Sequence, residues 1–201
     1  IAGLIYLLSY IPFEGDGNGL WEQMIKNQKD MYDYHSNLDS SHPFESTWYQ
    51  WPVMYRPMYY YCQTLANGLK EGISAFGNPL VWWAGIPAFF YMVYRIIRRK
   101  DRTAIFLVFA YLVQYVPWML VPRCTFSYHY FPSVPFVTMM LVYVMVRLWN
   151  RDKKWAKWIL VYLVAAFCLF LLFYPVISGQ PVTESFVRDG LRWMTEWQLI
   201  S

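Results

Sequence analysis

Trp158-Ile-Leu-Val-Tyr-Leu-Val-Ala-Ala-Phe-Cys-Leu-Phe-Leu-Leu-Phe-Tyr-Pro-Val-Ile-Ser178 opens a run of 26 residues, up to Thr183, without one Asp, Glu, Lys or Arg. A helix needs about 20 apolar residues to cross about 30 Å of hydrocarbon. Three more runs qualify: Gly72–Tyr94 with 23 residues, Thr103–Pro122 with 20 and Cys124–Val146 with 23. The fold class is therefore all-α, a polytopic membrane helix bundle with spans near 77–97, 103–122, 129–148 and 157–177. Ile1–Phe13 is also charge-free but has only 13 residues. It reads as the end of a truncated span, because it lacks the basic start and small-residue cleavage site of a signal peptide.

Working outward from the spans, charge sets the orientation. Arg95, Arg98, Arg99, Lys100 and Arg102 flank one short turn; Arg147, Arg151, Lys153, Lys154 and Lys157 flank another. Together they hold 10 of the 17 basic residues, with only Asp101 and Asp152 among the acids. Alternating spans put both turns on one side, and Lys/Arg-rich short loops stay cytoplasmic. The net +4 then divides into +8 inside and −4 outside. It is a topology signal, and no basic stripe remains as a nucleic-acid footprint.

Charged residues are 15% of the 201 and hydrophobic residues 57%, which excludes a disordered chain and a standard soluble enzyme. The three cysteines, Cys62, Cys124 and Cys168, are too few and too scattered for a disulfide framework or a zinc site. Cys62 and Cys124 share the outer side, where pairing is open, and Cys168 reads as a packed apolar residue of the last span. The segments expected outside are 14–71, the link 122–129 and the tail 178–201.

The outer loop opens on the Gly-rich stretch Glu14-Gly-Asp-Gly-Asn-Gly19, which lacks the acid spacing of a calcium loop and reads as a turn. Apolar residues from Leu20 to Leu38 recur at helical spacing and predict an amphipathic helix. It suits the membrane interface or packing on the protein itself. Prolines at 43, 52 and 57 exclude a regular helix from the aromatic stretch that follows. Such a wall with a few polar groups suits a sugar or prenyl-phosphate site, or else an interfacial aromatic belt. Asn78 and Pro79 are good N-cap and first-turn residues, so the next span starts there with its positive dipole end outward. Arg123 can fork two phosphate oxygens or snorkel at the interface. His129 can donate to a phosphate, carry a proton, or hold a structural hydrogen bond.

Four blocks carry a resemblance. They are His42-Pro-Phe-Glu-Ser-Thr-Trp-Tyr-Gln-Trp-Pro52, Tyr55-Arg-Pro57, Ile73-Ser-Ala-Phe-Gly-Asn-Pro-Leu-Val-Trp-Trp83 and Arg123-Cys-Thr-Phe-Ser-Tyr-His-Tyr-Phe-Pro-Ser-Val-Pro-Phe136. In order and spacing the chain resembles, over roughly 19–149, the C-terminal membrane region of protein O-mannosyltransferases. The resemblance implies a glycosyltransferase of the GT-C type that moves mannose from a polyprenyl-phosphate carrier to Ser or Thr of a protein acceptor outside the cytoplasm. It implies an inverting displacement, in which a carboxylate deprotonates the acceptor and cations stabilise the departing phosphate.

The family's catalytic acid lies in a first outer loop that these 201 residues do not contain. No catalytic residue is therefore assigned, and the segment alone is expected to be inactive. Arg56 and Arg123 are the donor-phosphate candidates, with His129 and Tyr128 as supporting donors. Trp48 and Trp51 are candidates for a platform under sugar or acceptor, and His42 and Glu45 stand beside them. No metal site and no tightly bound cofactor are expected; the expected partners are membrane lipid, the lipid-linked donor and an acceptor protein. The outer loop 14–71 is too short for the β-trefoil insertion of eukaryotic members, which favours a bacterial plasma membrane over the endoplasmic reticulum. Two alternatives stay open: a GT-C enzyme acting on a lipid or glycan, and a non-catalytic membrane scaffold. A transporter would place polar residues at mid-span, where Gln114 is the main exception here.

Overall fold

The computed structural model describes residues 1–13, 19–38 and 41–200. The Gly-rich stretch read as a turn falls, at 14–18, outside the described residues. Two units emerge: Ile1–Ser41 with Val121–Cys124, and His42–Leu120 with Thr125–Ser201.

The first unit contains α1 (Ala2–Leu8) and α2 (Leu20–Ser36). Gln28 of α2 donates to the hydroxyls of Tyr6 and Tyr10, at 3.2 Å for Tyr10. Helix α2 buries Gln23 and Met24 and leaves Trp21, Ile25 and Tyr32 exposed at helical spacing.

The second unit is built on four helices: α3 (Pro79–Arg99), α4 (Arg102–Tyr115), α5 (Val134–Arg151) and α6 (Trp155–Ser178). Short 3-10 segments extend α4 to Leu120 and start the third span at Ser127. All four spans are long and apolar enough to cross a membrane. They bury few of their own side chains: Leu160, Val161, Leu163, Val164 and Phe167 of α6 are all exposed. A helix apolar all round and left uncovered belongs in lipid. Cys168 lies on this exposed surface, which corrects the expectation that it is packed inside the span.

Local chemistry places the helix ends. Asn78 Oδ1 accepts the Leu80 N–H at 3.0 Å with Pro79 as first residue, as expected of that dipeptide. Asp101 caps α4 by accepting from the Thr103 and Ala104 N–H groups at 3.1 and 3.2 Å. The same carboxylate accepts from Tyr143 Oη, from Arg95 at 2.8 Å and from Arg147 at 3.1 Å. These donors, the Tyr143 hydroxyl foremost, hold its carboxyl well below the usual range. One acid thus ties α3, α4 and α5 together at the basic end. Farther along, Gly85 of α3 meets Val137 of α5 so closely that a Cβ there would lie 2.2 Å from Val137 Cγ1. Small residues allow this kind of helix approach in membranes. Met92 and Met140, both with no exposure, fill the centre.

One element is absent from the sequence reading. β1 (Met58–Thr64) and β2 (Lys70–Ala75) form an antiparallel hairpin, paired from Met58↔Ala75 to Thr64↔Lys70 with an irregularity between Tyr59 and Tyr61. The charge-free run Gly72–Tyr94 takes in residues 72–75, yet these are the end of β2, and the helix starts only at Pro79. The signal was Asn67-Gly68 in the connecting turn, where Gly68 takes φ +80. The tail beyond α6 adds a further bridge, Lys70↔Val182, to this hairpin.

Candidate active-site face

At the end of the bundle opposite the basic turns, α3 begins, α4 finishes, α5 begins and α6 finishes. The aromatic block 42–57 and the segment 125–133 meet there. Ser46 N–H donates to the Thr125 carbonyl at 2.8 Å, and Thr125 Oγ1 donates back to the Ser46 carbonyl at 2.8 Å. Both residues are buried. The Trp51 indole N–H donates to Ser46 Oγ at 3.0 Å and shares the Ser46 carbonyl at 3.2 Å. Trp51 is 1% exposed, so it supports this face from beneath. That corrects its expected place in a platform facing sugar or acceptor.

Other indoles fix the turn after Trp51. Trp82 Nε1 donates to the Trp51 carbonyl at 3.0 Å, Trp83 to Val53 at 3.0 Å and Trp197 to Met54 at 2.7 Å. Met54 is buried in the left-handed region at φ 56, a conformation costing a non-glycine residue roughly 1–2 kcal/mol. The indole bonds on either side offset that cost and make the turn rigid.

On this base stands a ring cluster. The His129 ring lies 4.2 Å from Trp118, 4.4 Å from Tyr128 and 5.9 Å from Trp51, centre to centre. Its Nδ1 sits 3.0 Å from both the backbone N and O of Phe126. Phe126 stacks on Tyr128 at 5.5 Å and receives the edge of His42 at 5.2 Å. Tyr60 lies 6.1 Å from Tyr128; partial burial, and then that neighbour, push its phenol up, so it remains a hydrogen-bond donor at neutral pH.

The candidate residues divide as follows. His42, Glu45, Trp48, Arg56, Tyr128 and His129 belong to the same unit as this cluster. His42 Nδ1 accepts the Phe44 N–H at 3.1 Å, and the exposed Glu45 carboxylate accepts the His42 N–H at 3.4 Å. Trp48 is half-buried against Tyr115 at 6.1 Å, and its carbonyl accepts the Tyr115 hydroxyl at 2.7 Å. Arg56 points Nη2 and Nε at one oxygen of Glu196, at 2.6 and 3.1 Å. Arg123 belongs with the first unit, in the segment Val121–Cys124; it is half-buried and forms no ion pair among the described residues. Sequence reasoning missed Glu196, Trp118 and Phe126. Nothing local marks Glu196, which lies 140 residues from its partner.

The structure therefore holds an aromatic face with imidazole and phenol groups, plus a guanidinium already matched by a carboxylate. An anion taking the Nε/Nη2 edge of Arg56 must displace Glu196, while Nη1 has only the Glu45 carbonyl, at 3.5 Å. Among the described residues, no group of three or more His, Cys, Asp or Glu is arranged to hold a metal ion.

The profile of the C-terminal four TMM region of protein-O-mannosyltransferase matches residues 20–197. The chain belongs to the protein O-mannosyltransferase family. It is 24% identical over 183 residues to the polyprenol-phosphate-mannose–protein mannosyltransferase of Corynebacterium glutamicum, covering 83% of this chain and 35% of that one. It is 25% identical over 198 residues to dolichyl-phosphate-mannose–protein mannosyltransferase 1 of Saccharomyces cerevisiae, covering 87% of this chain and 24% of that protein. In fold it is similar to a solved structure of the S. cerevisiae protein O-mannosyltransferase Pmt1-Pmt2 complex bound to the sugar donor. The TM-score is 0.75 at 22% identity, over 90% of this chain and 27% of that one. The chain thus corresponds to the family's C-terminal membrane region and spans about a third of the length of this bacterial relative.

Proposed function

We propose that the protein containing this chain transfers mannose from a polyprenyl-phosphate carrier to Ser or Thr hydroxyls of acceptor proteins on the extracytoplasmic face. The observation that carries the reading is the match over residues 20–197 to the family's C-terminal region. The direct hydrogen bonding of block 42–52 to the segment that starts at Thr125, through Ser46 and Thr125, supports it. The charge pattern supports the sidedness: ten basic residues flank the two turns at the other end of the bundle. The short outer loop favours a bacterial plasma membrane.

In this reading Arg56 and, separately, Arg123 are the donor-phosphate candidates, each able to oppose charge as it builds on the leaving oxygen. Arg56 does so by exchanging Glu196 for phosphate. His129 and Tyr128 are the supporting hydrogen-bond donors. Trp48 and His42 face sugar or acceptor, with Glu45 at the rim and Trp51 as their foundation. No residue of this chain is assigned the role of the carboxylate that deprotonates the acceptor.

The test is Arg123→Ala in the whole protein, assayed for mannosyl transfer against donor concentration. The expected outcome is a loss of about ten- to a hundredfold in kcat/KM for the lipid-linked donor, equivalent to about 1.4–2.8 kcal/mol. Unchanged donor dependence and turnover overturn the role of Arg123. Transfer from a different polyprenyl-phosphate sugar, or to a lipid acceptor, overturns the substrate reading.

A further inference from the structure

Two apolar channels at the basic end have no role in the proposed reaction. The first, about 380 Å³, lies between α3 and α5, where the small residues Ala84, Pro87 and Ala88 face Leu141, Val144 and Leu148. The second, about 220 Å³, lies between α5 and α6 and uses the same Leu141, Val144 and Leu148 as its wall, facing Trp155, Trp158 and Tyr162. One ridge of α5 thus has a channel on each side. The ridge from Leu141 to Arg151 is about 15 Å long at about 1.5 Å per residue, the hydrocarbon depth of one leaflet. Arg147 and Arg151 line the first channel and supply its cationic groups.

Charge is unbalanced at this mouth. Asp101 is shared by Arg95 and Arg147, and Asp152 is taken by Lys154 at 3.1 Å. Arg151, one turn beyond the Leu148 that lines both channels, forms no ion pair among the described residues. Arg98, Arg99, Lys100, Arg102, Lys153 and Lys157 crowd the same two turns.

We infer that this groove is a binding site for an anionic diacyl phospholipid, its two chains straddling the α5 ridge and its phosphate on Arg151 with Arg147. Basic pockets between spans recognise anionic head groups in this way. Paired channels on one ridge suit a two-chain lipid, whereas a polyprenyl phosphate carries one chain. The net positive mouth selects an anionic head group over a zwitterionic one. This inference does not depend on the donor reading, because the groove and the aromatic face lie at opposite ends of the spans.

The experiment uses the whole protein, purified from nanodiscs of phosphatidylcholine containing phosphatidylglycerol, with retained lipid counted by native mass spectrometry. Wild type is expected to retain phosphatidylglycerol at least about tenfold above its share of the bilayer. Arg151→Glu changes an exposed side chain and should abolish that enrichment. Ala84→Leu fills the first channel without changing charge and should lower retention of the lipid whatever its head group. Equal retention of the two lipids by wild type, or undiminished phosphatidylglycerol on Arg151→Glu, overturns the inference. So does retention of no lipid, which would mean that another part of the protein fills the groove. Displacement of phosphatidylglycerol by equimolar polyprenyl phosphate overturns the two-chain assignment.

Discussion

Gly77→Ala tests whether the aromatic face is a rigid wedge set on the end of α3. Gly77 has no left-handed φ, so alanine meets no backbone penalty there. Its Cβ, however, would lie 2.1–2.5 Å from three ring carbons of Trp82, a buried and inflexible indole. Contacts that short require the ring to move by more than 1 Å. Trp82 is held by its own bond to the Trp51 carbonyl and by Tyr130 and Phe131, each at 5.8 Å. Overpacking costs about 1–3 kcal/mol. If the shift breaks the indole bond, the stranded indole N–H adds about 1–3 kcal/mol, while the Trp51 carbonyl keeps the Met54 N–H at 2.9 Å. The expected total is about 2–6 kcal/mol, or roughly 4–24 °C in Tm for a chain of this size.

Gly190→Ala is the matched control. Its Cβ would meet nothing closer than 3.8 Å, also at ordinary φ, so it should be neutral or slightly stabilising. The assay is thermal unfolding of both variants in the same detergent, with mannosyl transfer measured alongside. Gly77→Ala should also lose transfer activity, because the displaced ring bonds to the Trp51 carbonyl and His129 packs 5.9 Å from Trp51. A Gly77→Ala protein that melts within a degree of Gly190→Ala refutes the reasoning.

Asp101→Asn keeps the N-cap of α4 and removes the charge that Arg95 and Arg147 share; it should cost about 1–2 kcal/mol near neutral pH. Because the folded state depresses the Asp101 carboxyl, its stabilisation is complete above the unfolded value of about 4 and is lost as pH falls further toward the folded one. Melting curves of wild type and Asp101→Asn should therefore differ at pH 7 and converge in acid; a constant difference contradicts the assigned cause. Arg56→Ala and Glu196→Ala should couple by about 1 kcal/mol in a double-mutant cycle of stability, since both side chains are about one-third exposed. Glu196→Ala should in addition tighten the lipid-linked donor if phosphate must displace that carboxylate, and an unchanged donor KM would contradict the exchange.

Much of this architecture is legible along the chain because its causes are local. Four charge-free runs are long enough to span, and each lies between charges or breakers that its own neighbours supply. Asn78-Pro79 marks a helix start by capping chemistry confined to three residues. The hairpin was masked because Met58–Thr64 is an aromatic run that an interfacial belt equally explains; only Asn67-Gly68 marked its turn. Trp51 and Trp48 look alike in sequence, yet one is buried with its indole N–H used and the other is half-buried. Which of two tryptophans goes beneath the face depends on where Ser46 and Thr125 bring the chain.

The sequence alone determined the number of membrane spans, the segregation of basic charge and the resemblance blocks, since these depend on residue type summed over short windows. Tertiary structure alone decided that Glu196 reaches Arg56, that the Trp197 indole reaches the Met54 carbonyl, and that the tail bridges to the hairpin. Those pairings join residues more than 100 positions apart. A guanidinium or indole N–H has many acceptors of equal chemistry to choose from, and only the packed helices determine which one lies within 3 Å.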